Sequence, residues 1–130
     1  MRNITMKKVL VGGVFNILHP GHVWFLKKAK SYGEFLVVVV AHDNTVRKNK
    51  EYLLFPAKER KRLLEHLDFV DKVVIGNKDD MFETVKKECP DIIVLGYDQK
   101  IDKEMIDKKI RIIKLKRKYR DYSTKKLLGK

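Results

Sequence analysis

Apolar residues along this chain fall into two kinds of run, and their alternation predicts the fold. Val9 to Val11, Phe35 to Ala41, Lys72 to Ile75, Ile92 to Leu95 and Ile110 to Leu115 are short and rich in β-branched residues, as expected of strands covered on both faces. Between them the spacing lengthens to helical intervals. Val23, Phe25, Leu26 and Ala29 follow Pro20, which is pre-set for a first helical position, and Gly33 stands where a helix C-cap is common. Pro56 opens a helix with Leu63, Leu64 and Leu67 on one face. Met81, Phe82 and Val85 mark another that ends before Pro90, a weaker one is expected over Asp102 to Lys108, and Ser123 is an N-cap for a terminal helix carrying Leu127 and Leu128. His42 to Tyr52 is polar and basic and reads as a loop.

Strand and helix therefore alternate with short connections. That order predicts an α/β fold, a Rossmann-like doubly wound parallel sheet of five strands with helices on both faces, as one domain over residues 1–130. In such sheets ligands bind beyond the carboxyl ends of the strands, at the point where the winding reverses. The rule brings Gly13 to His22, His42 to Lys50 and Gly96 to Gln99 to one rim. His19 and His22 then stand at a helix N-terminus, near amide donors and the positive end of the helix dipole, a place that attracts phosphate.

Composition narrows the chemistry. With 130 residues, 44% of them hydrophobic, the chain is long enough for a substantial core. One cysteine, Cys89, excludes an internal disulfide framework and a multi-cysteine zinc cluster. No stretch approaches a membrane span and Met1 to Lys8 does not resemble a signal peptide, so a cytoplasmic protein with no membrane partner is expected. The net charge of +13 is concentrated: Lys108 to Lys130 holds eleven Lys or Arg against Asp121 alone. Such a field fits a polyanionic ligand, and equally a lysine-rich solvated surface.

His19-Pro20-Gly21-His22, with Gly13, Phe15 and the helix that follows, resembles the HxGH nucleotidyltransferase superfamily. Ala41 to Val46 with the lysines beyond it, and Pro90 to Gln99, look like the corresponding segments of archaeal-type FAD synthetases. Arg60 matches an arginine also found in glycerol-3-phosphate cytidylyltransferases, and Ser123-Thr124 matches the pair opening the last helix of these families. The likeness spans nearly the whole chain. Val14-Phe15-Asn16 departs from the Thr-Phe-Asp usual in the group, and the cysteines that archaeal FAD synthetases tend to carry near the C-terminal motif are missing.

The resemblance implies attack by a phosphate oxygen on the α-phosphorus of a nucleoside triphosphate, with pyrophosphate leaving. His19 and His22 would be catalytic; Gly13, Val14, Phe15, Pro20, Gly21, Asp98, Ser123 and Thr124 would join them in binding the nucleotide. Arg47, Lys48, Lys50, Arg60, Arg117 and Arg120 are candidates for the acceptor's phosphate or the triphosphate, and no protein metal site is expected. Mg²⁺ would arrive bound mainly to the triphosphate. The leading reading is conversion of ATP and FMN to FAD; the alternative is a cytidylyltransferase using CTP and glycerol 3-phosphate or a similar phosphorylated alcohol. A non-enzymatic RNA-binding domain is the third reading, and the chain is too short for a tRNA ligase. Trp24 and Phe25 read as core or interface residues, and the related families admit a homodimer.

Overall fold

The computed structural model describes residues 6–49 and 51–116. Within them run β1 (Lys8–Gly13), α1 (Pro20–Lys30), β2 (Phe35–Val40), α2 (Asp43–Lys48), α3 (Ala57–Glu65), β3 (Lys72–Ile75), α4 (Met81–Glu88), β4 (Ile92–Leu95) and β5 (Arg111–Lys114). All five strands are parallel, in the order β3-β2-β1-β4-β5. Winding proceeds outward from β1 to β3, then restarts on the other side of β1 with β4. The crevice between the carboxyl ends of β1 and β4 is thus the switch point where such sheets take ligands.

Period-two alternation sorts the strand side chains into two cores. Val9, Val11, Leu36, Val38, Val40, Val73 and Val94 meet Leu26 and Ala29 of α1 and Ala57 and Leu64 of α3. Leu10, Val39 and Ile93 face the other way, toward Val85 of α4 and Ile106. Helices on both faces account for the nearly unbroken valine run of β2, whose Leu36 to Val40 are all buried. The outer strand β5 carries exposed Arg111 and Lys114, cations that discourage pairing with a further strand.

Four expectations are corrected. Residues 43–48, expected in a loop, form α2: the His42 side chain caps it by accepting from the Asn44 amide at 3.0 Å, and Val46 is buried beneath it. Gly33 is not a helix cap, because α1 ends at Lys30 with Ser31 at its C-cap. A Cβ on Gly33 would stand 2.6 Å from the Lys7 carbonyl oxygen, so glycine is needed there for a close backbone approach. In α3, Leu63 is exposed, and the inward face is Ala57, Arg60 and Leu64. The helix expected over residues 102–108 is one short 3₁₀ turn, Lys103–Met105. The terminal helix after Ser123 lies outside the described residues, as do Lys50, Arg117, Arg120, Ser123 and Thr124.

Candidate active site

The chain turns from β1 into α1 through residues 14–19, and the turn is built from its own side chains. His19 is the N-cap of α1 in extended conformation, Pro20 opens the helix, and His22 follows at the third helical position. The His19 ring accepts the Gly21 amide on Nδ1 at 3.1 Å, which leaves its own proton on Nε2. The His22 ring reaches back, its Nδ1 3.4 Å from the His19 amide, while the His22 and Val23 amides bond the His19 carbonyl. This reciprocal cap alters the expected anion site. Proline has no amide, and those of residues 21 to 23 are already paired, so imidazole edges rather than first-turn amides are what the helix end offers.

The two rings stack with centroids 3.8 Å apart and planes 22° from parallel. Two imidazolium ions that close would repel. Burial pushes the His22 pKa down to about 4, and the neighbouring His19 adds to the effect against a hydrogen bond with the Ile17 backbone. Burial lowers His19 as well. Both rings are therefore neutral near pH 7, each with a single N–H for hydrogen bonding and no charge of its own.

Phe15 seats this pair. Its ring stands edge-on to His22, with centroids 5.1 Å apart, and its backbone is left-handed at φ 55, a conformation that bulky residues rarely adopt. Behind Phe15 the loop is anchored by two buried polar side chains. Asn16 donates its amide to the Tyr52 carbonyl and accepts the Leu54 amide on Oδ1 at 3.2 Å. Arg60, only 1% exposed, donates to the Val14 and Phe55 carbonyls at 2.9 Å each and to Asp43 Oδ1 at 2.6 Å. Every nitrogen of its guanidinium is engaged inside the protein. Arg60 thus ties β1, α2 and α3 together and is not presented to an acceptor's phosphate, which corrects the expectation for that residue.

Across the crevice, Gly96 ends β4 and the next turn returns Gln99. The Gln99 side chain accepts the Gly96 amide at 2.8 Å and donates to the Gly12 carbonyl at 2.9 Å, joining the two strands that flank the switch point. Asp98, the candidate base or ribose contact, is exposed beside it. Gln99 was not among the expected site residues; its place at the end of PDIIVLGYDQ was the available signal. Arg47 and Lys48 are exposed at the end of α2, and Lys48 lies 3.7 Å from Asp79 in the loop after β3. The structure therefore brings Gly13 to His22, α2 and residues 96–99 to one rim, with Arg60 beneath it.

A family model described as cytidylyltransferase-like matches residues 10–127, a span that contains this entire rim. The chain belongs to the cytidylyltransferase-like family. Among its relatives, an FAD synthase of Aciduliprofundum boonei is 47% identical over 123 residues, covering 89% of this chain and 82% of that protein. An FAD synthase of Pyrococcus abyssi is 48% identical over 111 residues, covering 84% and 75% respectively. A crystal structure described as a lipopolysaccharide core biosynthesis protein from Thermoplasma volcanium matches with a TM-score of 0.80 at 42% identity, covering 88% of this chain and 98% of that one. A pantoate-β-alanine ligase from Francisella tularensis, 16% identical with a TM-score of 0.59, shares the fold over 88% of this chain and 60% of its own. Within this cytidylyltransferase-like chain, no helix among the described residues is long and apolar enough to cross a membrane.

Proposed function

We propose that this cytidylyltransferase-like chain is an FAD synthase, an adenylyltransferase that joins the AMP portion of ATP to FMN. A phosphate oxygen of FMN forms a bond to the α-phosphorus, the bond from that phosphorus to the bridging oxygen breaks, and pyrophosphate leaves with the electron pair. The carrying observation is the stacked, neutral His19–His22 pair at the switch point of a chain whose FAD synthase relatives match over most of their length.

Such a reaction asks the protein chiefly to position two phosphates and to stabilise charge as it builds. His19 and His22 donate to the α-phosphate or to the leaving oxygen. Gly13, Val14 and Phe15 shape the wall behind it, and Pro20 and Gly21 let the nucleotide approach the helix end. Asp98 meets the base or ribose, and Arg47 and Lys48, with Lys50, draw in the acceptor's phosphate. Ser123 and Thr124, with Arg117 or Arg120, hold the outer phosphates. Mg²⁺ would enter bound to the triphosphate, where it neutralises charge.

The test is turnover of purified protein with Mg²⁺ and either ATP plus FMN or CTP plus glycerol 3-phosphate, following pyrophosphate and the joined product. FAD in the first mixture alone is expected. CDP-glycerol in the second would replace this reading with the cytidylyltransferase one, and salt-sensitive RNA binding without turnover in either would replace both.

A further inference from the structure

One stretch on the rim combines a backbone held by buried polar groups with aromatic side chains that are about half exposed. Residues 51–56 connect α2 to α3 without regular structure. Asn16 grips this segment at Tyr52 and Leu54, and Arg60 grips it at Phe55. The two anchors are 7% and 1% exposed, so the protein commits two interior polar residues to fixing three positions of a surface segment. The rings on that segment are nevertheless open: Tyr52 is 55% exposed and Phe55 45%. A fixed main chain carrying exposed aromatic rings is what a stacking site for a planar ligand requires, because the cost of ordering the wall is met before the ligand arrives.

Its position also decides the ligand. Asn16 lies three residues before His19, and Arg60 holds Phe55 and Val14 through one guanidinium. The segment is therefore rigidly coupled to the loop that meets the α-phosphate. With the nucleotide directed toward Asp98 in the function proposed above, this aromatic segment is the one left for a planar acceptor. We infer that Tyr52 and Phe55 form the wall against which the acceptor's isoalloxazine ring packs, and that Asn16 is the positioning residue holding that wall to the phosphate loop. The inference rests on the FAD synthase reading.

The chemistry of position 16 follows. Tyr52 presents a carbonyl and Leu54 an amide, so one side chain must donate and accept at once. An amide does both, whereas a carboxylate only accepts. Asparagine in place of the aspartate usual in the superfamily is, in this chain, the residue that closes both bonds.

Steady-state kinetics of the intact protein separate the outcomes. Y52A/F55A, which alters exposed side chains alone, is expected to raise KM for FMN about tenfold while KM for ATP stays within about twofold. N16L, which removes the donor to the Tyr52 carbonyl and the acceptor of the Leu54 amide together, is expected to raise KM for FMN likewise and to accelerate hydrogen exchange at the Leu54 amide, which Y52A/F55A leaves protected. Unchanged KM for FMN in Y52A/F55A, or equal changes in both KM values, overturns the wall. Unchanged exchange and KM in N16L overturns the positioning role. A wild-type protein that makes no FAD defeats the underlying reading itself, an outcome visible before any variant is compared.

Discussion

The Phe15 ring occupies the space that a side chain on Gly13 would need. A Cβ at position 13 would stand 2.9 Å from Phe15 Cε2 and 3.0 Å from Cζ. Phe15 is buried and rests edge-on against His22, so a shift of its ring is felt at the imidazole. Glycine at the end of β1 thus governs a ring two residues on and, through it, a candidate catalytic group.

Gly13→Ala should consequently lower kcat by tenfold or more with a smaller change in KM for ATP, since the displaced group acts as charge develops. Kinetics with a parallel thermal melt check this. A fall in Tm with kcat intact would show that the His22 ring does not depend on Phe15.

Removing either imidazole should depress kcat by about 10² to 10³, the scale seen when one preorganised donor is lost. His19→Ala and His22→Ala are the variants, measured by single turnover alongside ATP binding. Equal losses in binding and rate would mean that the pair holds the ground state only.

Acid should weaken the fold in a window assignable to His22. An unfolded chain takes up its imidazole proton near pH 6.5, while the folded protein resists until about pH 4. Between those values the unfolded state binds more protons, so stability is full above pH 6.5 and declines as pH falls through the interval, by up to about 3 kcal/mol. Glu88 acts lower. Burial raises its pKa, but a hydrogen bond and charge from Lys72, with Lys8 assisting, outweigh this and hold it below 4.5. Its contribution is present above that value and is lost on further acidification. Urea unfolding at pH 7 and pH 5 should differ in the wild type and differ less in His22→Asn, the remainder including the share of His19, and an undiminished difference in the variant would assign it elsewhere.

Arg60→Met should cost about 3–5 kcal/mol, because Asp43 loses its buried partner and two carbonyls lose their donors. Denaturant midpoints measure it. A stable variant impaired only in acceptor use would return Arg60 to the role first expected of it.

Gln99→Glu and Asp98→Ala should separate scaffold from contact. Glutamate at 99 keeps the bond from the Gly96 amide but faces the Gly12 carbonyl without a proton, a loss of about 1–3 kcal/mol in stability. Asp98→Ala should leave stability unchanged and raise KM for ATP, and the reverse pattern would exchange their assignments.

The strands were legible because burial on both faces demands unbroken apolar runs, which Phe35 to Val40 and Ile92 to Leu95 display. The HxGH turn was legible from its proline and paired histidines. Asn16, Arg60 and Gln99 were not, for a shared reason. Their partners lie up to 87 positions away, and nothing local distinguishes an amide or guanidinium that will bridge two segments from one that will face water. Arg60 even occupies a helical face where apolar periodicity favours Leu63. Phe15 gave no sign of its positive φ, since phenylalanine has no preference for that region. Helix α2 escaped because six residues with one buried apolar position carry no period.

At the opposite end of the sheet, two aspartates perform matching tasks. Asp71, just before β3, accepts the Leu36 amide of β2 at 2.7 Å, and Asp91, just before β4, accepts the Lys8 amide of β1 at 2.8 Å. Each aligns a strand with its neighbour at the point of entry, one on either side of the centre. Strand alignment is thus fastened at the edge farthest from the ligands as well as by Gln99 at the reactive edge, so the loops after β1 and β2 can change without putting the sheet out of step.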